Sequence, residues 1–559
     1  MRLASNGKLK AKSKTFYSKL VSDNAEEINQ EGEMRKDIVS ILAELKPFIK
    51  CVSFTTDLWT SVNGDPFICL TLQLITPDWK LIRFTPYIKP FPQRHTGLNI
   101  SLSLDQMIEQ LGLDGQEFHL FSVNDSAANM VLGIKMSEFL KEYTCDIHKL
   151  ELVIKDALKK TPGMDKIIKK TKKIGKYANK SSTAHQELKD TCKEFNIKLK
   201  KIQNPPNTRW SGYHKNLSSV LYLKTALAQL TSDMDNWGEF QLSVNDWKLV
   251  ETAVELLKPF KDTIEIWQAE KEPTMHRVIE RLYTLNALLT QFLQKNRNNK
   301  IGSSFAKALQ QSLNTRFPNN GTENALRRIA NYIAPQYKGI HLENELELVK
   351  SDIKNTFVSD DHPSASQPLD DPAPADDNVT LSPTAKLKLK FKQKKNSSNS
   401  QQNTSNESSL SKEFSMYEKF SLAPDSTNLL TWWQTHEKIL PILSNVAKIV
   451  LTIPCSSAKS ERVFSCAGNF ATPKRNRLGL KKLEDLVVFN ENNEQVKGYK
   501  AEHPNLKRVT DRNSFDKIRI EATGIPDDVD EFDTEFLYSN DMDSDTEDEE
   551  EDDDDIDIE

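Results

Sequence analysis

Strand-forming stretches are crowded into one early part of this chain, and that limits what it can build. Cys51–Asp57 is short and apolar, Phe67–Ile75 is rich in β-branched and apolar residues, Trp79–Ile88 alternates, and Phe118–Val123 is a further apolar run. A helical pattern over Leu98–Leu111 separates the last two, and another follows from about Ser126 to Tyr143. Three strands, a helix, a strand and a helix predict an α/β layout with a mixed sheet. A helix over residues 34–50 precedes it, with Ile38, Ile41, Leu42, Leu45 and Phe48 on one side. Ile197–Ile202 reads as one more strand, ended by Pro205 and Pro206.

From residue 214 to 346 the apolar period is helical. Val250, Ala253, Leu257, Phe260, Ile264 and Trp267 trace one stripe, in which Pro259 should introduce a kink, and Ile279, Leu282, Leu285, Leu289 and Phe292 trace the next. These stripes are packing surfaces. Residues 358–412 are rich in Ser, Pro, Asn and Asp and read as a disordered linker; the basic island Lys386–Lys395 within it is either a nuclear localisation signal or plain solvated linker. Ordered structure should resume near Phe414, with helices over Ile439–Leu451, Ser456–Ala467 and Leu480–Phe489.

The net charge of −5 hides two opposite parts. Asp527–Glu559 holds 20 acidic residues and no Lys or Arg, so the other residues carry 75 basic against 60 acidic side chains, a net +15. A basic body suits a polyanionic partner, and an acidic tail, expected to be disordered, could compete for the same surface. Lys169, Lys170, Lys172 and Lys173 concentrate that charge in a lysine-rich stretch, either a solvated helix face or a phosphate-contacting surface. The six cysteines form no C-x-x-C pair, so neither a zinc finger nor a disulfide framework is expected, and a reducing compartment is. No signal peptide is evident and no apolar run approaches a membrane span, so no membrane partner is expected.

Three acids stand out by context. Asp57 ends the first strand in Thr-Thr-Asp-Leu-Trp-Thr-Ser, Asp125 follows the fourth in Ser-Val-Asn-Asp-Ser-Ala-Ala-Asn-Met, and Glu461 lies near the start of a helix in Ser-Ser-Ala-Lys-Ser-Glu-Arg-Val-Phe-Ser. An Asp at a strand end is commonly a cap or turn residue. Sites in open α/β sheets also collect at strand ends. If the two strands are neighbours, their carboxylates meet, and like charges held close call for a cation. A third carboxylate from a packed helix would complete an oxygen-rich set suited to Mg²⁺ or Mn²⁺.

These three stretches, with Cys145-x-x-His148 and Thr208-Arg209-Trp210 between the last two, occur here in the order seen in hAT transposases, which the chain resembles over residues 34 to about 495. The resemblance implies an RNase H-like core interrupted by a large all-α insertion. It divides the chain into a basic N-terminal segment (1–33), the first part of the core (34–213), the insertion (214–357), the linker (358–412), a C-terminal dimerisation region completing the core (413–495) and an acidic tail (496–559). It implies that Asp57, Asp125 and Glu461 hold divalent metal, that Trp210 stacks on a DNA base flipped beside the cleavage point, that Arg209 lies by the backbone, and that His148 neighbours the site. Cys145 reads as buried packing. Many relatives begin with a BED-type zinc finger, and no such spacing precedes Asp57.

The expectation is therefore a nuclear, homodimeric or larger DNA-binding protein that cleaves and joins DNA with Mg²⁺ or Mn²⁺. The alternative is a host-retained, catalytically silent regulator of transposase origin.

Overall fold

A computed structural model describes residues 2–3, 9–10, 33–114, 118–204, 211–342, 345–357, 408–471 and 479–506. Its centre is a five-stranded sheet of β1 (Cys51–Thr60), β2 (Pro66–Ile75), β3 (Leu81–Pro90), β4 (His119–Asn124) and β5 (Lys141–Thr144), in the order β3-β2-β1-β4-β5. The first three strands form an antiparallel meander, whereas β4 runs parallel to β1 and β5 parallel to β4. The mixed sheet is as expected. The fifth strand is not: β5 lies within the predicted helix 126–143, which instead ends at Met136, and Ile197–Ile202 forms no strand. In Lys-Glu-Tyr-Thr only Tyr143 is buried, so this short edge strand carries no apolar run to betray it. Ile202 is buried too, but against the Gly175 turn of a helix, and its carbonyl accepts from the Asn179 side chain at 2.8 Å in place of a ladder partner.

The β2–β3 connection shows how tertiary contacts hold an unusual turn. Trp79, expected to begin a strand, adopts φ 62° at the hairpin tip. Such a backbone is costly for a bulky side chain. Here the indole is buried, donates from Nε1 to Glu437 Oε2 at 2.8 Å and stacks on Trp433.

Alternation along the strands makes two faces. One carries Val52, Phe54, Leu70 and Leu72, covered by α1 (Glu33–Leu45) and α2 (Gly97–Gln110). Helix α2 lies close to α3 (Ala128–Met136), because Gly97 and Gly133 let the backbones approach: a Cβ on Gly133 would stand 2.7 Å from Ile100. The other face carries Cys51, Ser53, Thr55 and Asp57 of β1.

From β5 the chain enters a helical region of α4 (Asp146–Lys160), α5 (Pro162–Lys180), α6 (Ser182–Glu194), α7 (Ser211–Tyr222), α8 (Lys224–Asp233), α9 (Val244–Trp267), α10 (Arg277–Lys295), α11 (Lys300–Arg316), α12 (Thr322–Ile333) and α13 (Leu346–Phe357). Helices therefore dominate from residue 146, well before 214. Helix α9 passes through Pro259 as one element, with Thr263 Oγ1 donating to the Pro259 carbonyl at 2.9 Å.

The C-terminal region returns as α14 (Ser409–Lys419), α15 (Leu429–His436), α16 (Pro441–Thr452), α17 (Ala458–Phe470) and α18 (Leu480–Glu502). The linker expected to reach residue 412 gives way to helix at Ser409; residues 358–407 and the tail from 507 lie outside the described residues. Helix α16 buries Leu443, Val446, Ala447, Val450 and Leu451 against β1, β2, α12 and α14, so its apolar length is core of this chain. Helix α18 closes the sheet edge: the Asn492 amide accepts from Thr85 N at 2.7 Å and donates to Thr85 O at 2.8 Å.

Candidate active site

The two aspartates belong to neighbouring segments of the sheet. Thr55 of β1 pairs in parallel with Val123 of β4. Asp57 follows two positions later within β1, on the face of Thr55, and Asp125 comes directly after the end of β4 at Asn124. Neighbouring strands lie about 4.8 Å apart. Asp57 is half-buried and its Oδ1 accepts from Leu58 N at 2.8 Å. Asp125, also half-buried, accepts from Ala127 N at 3.2 Å, as a turn residue leading into α3.

Glu461 reaches the same face from far along the chain. Ser460 Oγ and Thr55 Oγ1 share a buried hydrogen bond of 2.6 Å, and Thr55 Oγ1 also pairs with Thr71 Oγ1 at 2.7 Å. This hydroxyl chain docks the first turn of α17 on β1 and β2, two residues from Asp57. The approach to α17 is fixed on the other side as well, because Cys455 O accepts from Asp146 N at 2.8 Å and Cys145 Sγ accepts from Ser457 N at 3.4 Å. The half-buried His148, on the first turn of α4, feels both Asp125 and Glu461. Burial nonetheless outweighs their pull and lowers its pKa below the ordinary 6.5, so the imidazole is neutral at pH 7. Cys145 is buried, and burial pushes its thiol up to about 11, the behaviour of a packing residue.

Asp57 lies inside β1 and not at its end, because Leu58, Trp59 and Thr60 go on pairing with β2; Asp125 directly follows β4, and Glu461 stands on the first turn of a helix docked on β1 and β2. Carboxylate oxygens are the donors that a hard cation such as Mg²⁺ or Mn²⁺ prefers. Among the described residues no group of three or more His, Cys, Asp and Glu side chains is placed to hold a metal ion, so Asp57, Asp125 and Glu461 do not form such a group here. A hard ion of this kind is ordinarily held by one or two carboxylates with water and substrate phosphate, so a complete protein cage is not what its chemistry requires.

Other expected site residues scatter. Arg209 and Trp210 lie outside the described residues. Of the four lysines, Lys169 and Lys173 are exposed, Lys170 is half-buried in an ion pair with Asp246 at 2.9 Å, and Lys172 lies over the Tyr213 ring at 5.2 Å. Sequence reasoning missed a support beneath the site. Arg327 of α12 and Asp146 of α4 are both fully buried and meet at 2.5 Å, and Tyr143 Oη donates to Asp146 Oδ2 at 2.6 Å. Glu323, one turn earlier, accepts from Thr144 N at 2.8 Å and pairs with Lys149. The i, i+4 spacing of Glu323 and Arg327 was the available signal, but such pairs usually face solvent.

Residues 408–493 match the hAT family C-terminal dimerisation region, and residues 143–256 match the ZBED1 RNase-like helical domain. A Zea mays protein named for the AC transposase is 25% identical over 478 residues, covering 80% of this chain and 57% of its own length. Zinc finger BED domain-containing protein RICESLEEPER 1 of Oryza sativa subsp. japonica is 21% identical over 454 residues, covering 75% of this chain and 61% of its own. A Talaromyces stipitatus protein named as a transcriptional regulator, tpeD, is 21% identical over 513 residues, 84% of this chain and 56% of its own. The chain thus spans about three fifths of the length of these relatives.

Proposed function

We propose that the chain is a hAT transposase-like protein that cleaves and joins DNA through Asp57, Asp125 and Glu461 in an RNase H-like core, a reading supported by its matches to hAT-family regions and relatives. The strand order β3-β2-β1-β4-β5, with an antiparallel meander followed by two parallel strands, supports that fold, and the helices between β5 and α17 correspond to an insertion within it. One observation carries the reading: β1, which holds Asp57, pairs with β4, which leads directly into Asp125, and the Thr55–Ser460 bond docks the helix of Glu461 on β1.

The reaction has two parts. In cleavage a water oxygen bonds to phosphorus, its proton leaves to solvent or a nearby base, and the bond from phosphorus to the 3′-oxygen breaks, freeing a 3′-hydroxyl. In joining, that hydroxyl oxygen bonds to phosphorus of a second duplex and displaces the 3′-oxygen there. Asp57, Asp125 and Glu461 would hold Mg²⁺ or Mn²⁺, which when bound activates the attacking oxygen and stabilises the leaving one. The chain's own part is to orient the three carboxylates by strand register and helix docking. His148, neutral and beside two of them, can hold or pass a proton at the scissile group. Arg209 would contact the backbone and Trp210 would stack on a displaced base. A DNA substrate makes the nucleus the working compartment, and the C-terminal region supports self-association.

The test measures binding and Mg²⁺- or Mn²⁺-dependent nicking on one set of variants, using the ends of the chain's own element. Asp57→Asn, Asp125→Asn and Glu461→Gln should each cut nicking by at least 10³-fold and leave metal-free binding within about twofold, since these groups act on metal and not on DNA. Nicking that survives in all three would sink the reading. Binding without nicking by the unmodified chain would favour a silent regulator.

A further inference from the structure

Helix α5 presents an unusual outer surface. Met164, Ile167, Ile168, Thr171, Ile174 and Ala178 face inward. At 100° per residue, Lys166, Lys169, Lys173, Lys176 and Lys180 fall within an arc of about 80° directly opposite. All five are exposed. The helix holds seven lysines and one acid, Asp165, which pairs with Lys169 at 3.3 Å.

A merely solvated helix face ordinarily interleaves acids with bases, because opposite charges at i, i+4 stabilise a helix and like charges destabilise it. Here the neighbours along the stripe are spaced three, four, three and four residues apart, and every one repeats the same sign. The stripe therefore weakens the helix that carries it unless a polyanion neutralises it. The buried face keeps the helix in place: α5 packs on α4, α6, α7, α9 and α11. Its outward lysines thus sit on a fixed rod, and the two lysines that depart from the stripe, Lys170 and Lys172, are engaged with Asp246 and Tyr213.

We propose that the outer face of α5 is a tracking surface for the phosphate backbone of duplex DNA, made by Lys166, Lys169, Lys173, Lys176 and Lys180. The proposal rests on the DNA-processing reading above and adds to it a surface remote in sequence from the carboxylates. From Lys166 to Lys180 the helix rises about 21 Å. A duplex strand carries a phosphate every 3.4 Å along its axis, so the stripe spans about six base pairs. Flexible four-carbon stems let each ammonium settle on a phosphate without reading a base. The surface positions a duplex and carries no sequence preference.

The experiment uses the full chain and a labelled 20-base-pair duplex of mixed sequence, with affinity measured by anisotropy from 50 to 250 mM NaCl. One variant replaces the five stripe lysines by Gln, which keeps helix propensity. A second replaces five exposed lysines elsewhere, Lys36, Lys50, Lys295, Lys307 and Lys354, and so matches the charge change. Each lost phosphate contact lowers the slope of log K against log salt by about 0.9. The stripe variant should lose about 3 to 4 from the slope and bind at least 30-fold more weakly at 100 mM, whereas the control should shift the slope by less than 1. Equal effects of the two variants, or none from either, overturn the stripe and leave the DNA-processing reading intact. Absence of any binding by the unmodified chain at 50 mM overturns both.

Discussion

Single side chains in this protein matter most where burial removes their choice of charge. His276 is buried, lies over Tyr337 and leaves Nδ1 with no hydrogen-bond partner among the described residues. Burial, helped by the Arg277 charge, pushes its pKa from 6.5 down to about 3. The unfolded chain therefore takes up a proton near pH 6.5 that the folded chain refuses until about pH 3. Stability present above pH 6.5 is lost as the pH falls through that window, by about 1.4 kcal/mol per unit. His276→Phe keeps the ring contact and removes the proton. Urea unfolding at pH 6.5 and pH 5 should show an acid loss about 2 kcal/mol smaller in the variant; an unchanged loss would assign the acid sensitivity to other groups.

At the scale of elements, the docking of α4, α12 and α17 decides whether the acids meet. The Arg327–Asp146 pair joins α12 to the start of α4, and Asp146 N in turn bonds Cys455 O on the way to Glu461. Burial raises the Asp146 pKa despite the neighbouring Arg327 and Lys149. Arg327→Met should cost about 3–5 kcal/mol, because it leaves a buried carboxylate unpaired. Adding Asp146→Leu should recover most of that loss, since a buried ion pair and an apolar pair of similar volume differ little in stability. Chemical unfolding of the single and double variants checks this, and a double variant no more stable than Arg327→Met would show that the ions specify the packing themselves.

At the scale of the whole molecule, one sheet is completed by residues more than 300 positions apart. Gln73 of β2 donates to Thr452 O, Thr55 of β1 bonds Ser460, and Asn492 pairs with the backbone of β3. Residues 33–357 without the C-terminal helices would expose Cys69, Thr71 and Ile75 of a central strand to water. Expressed alone, that fragment should lack a cooperative unfolding transition and bind a hydrophobic dye such as ANS. A cooperative melt from the fragment would mean that the first part of the chain holds its own core.

Much of this was legible in the residues. Strands β1, β2 and β4 were readable because burial on the sheet leaves continuous or alternating apolar runs, and Asp57, Asp125 and Glu461 were singled out by the motifs around them, although β1 runs on past Asp57 to Thr60. β5 was not readable: an edge strand with one buried residue has no periodicity. The inward role of α16 was also undecidable, because an apolar helix looks the same whether its partner is another copy or its own sheet. Lys170 and Lys172 could not be told from Lys169 and Lys173, since a run of lysines shows its composition and not its helical phase. The sequence by itself determined most of the sheet's strands and the helical character of the middle and C-terminal segments, because those depend on local period and polarity. Only the tertiary structure decided that β1 pairs with β4 and that Ser460 docks on Thr55, because register and docking are set by contacts between segments that no local pattern connects.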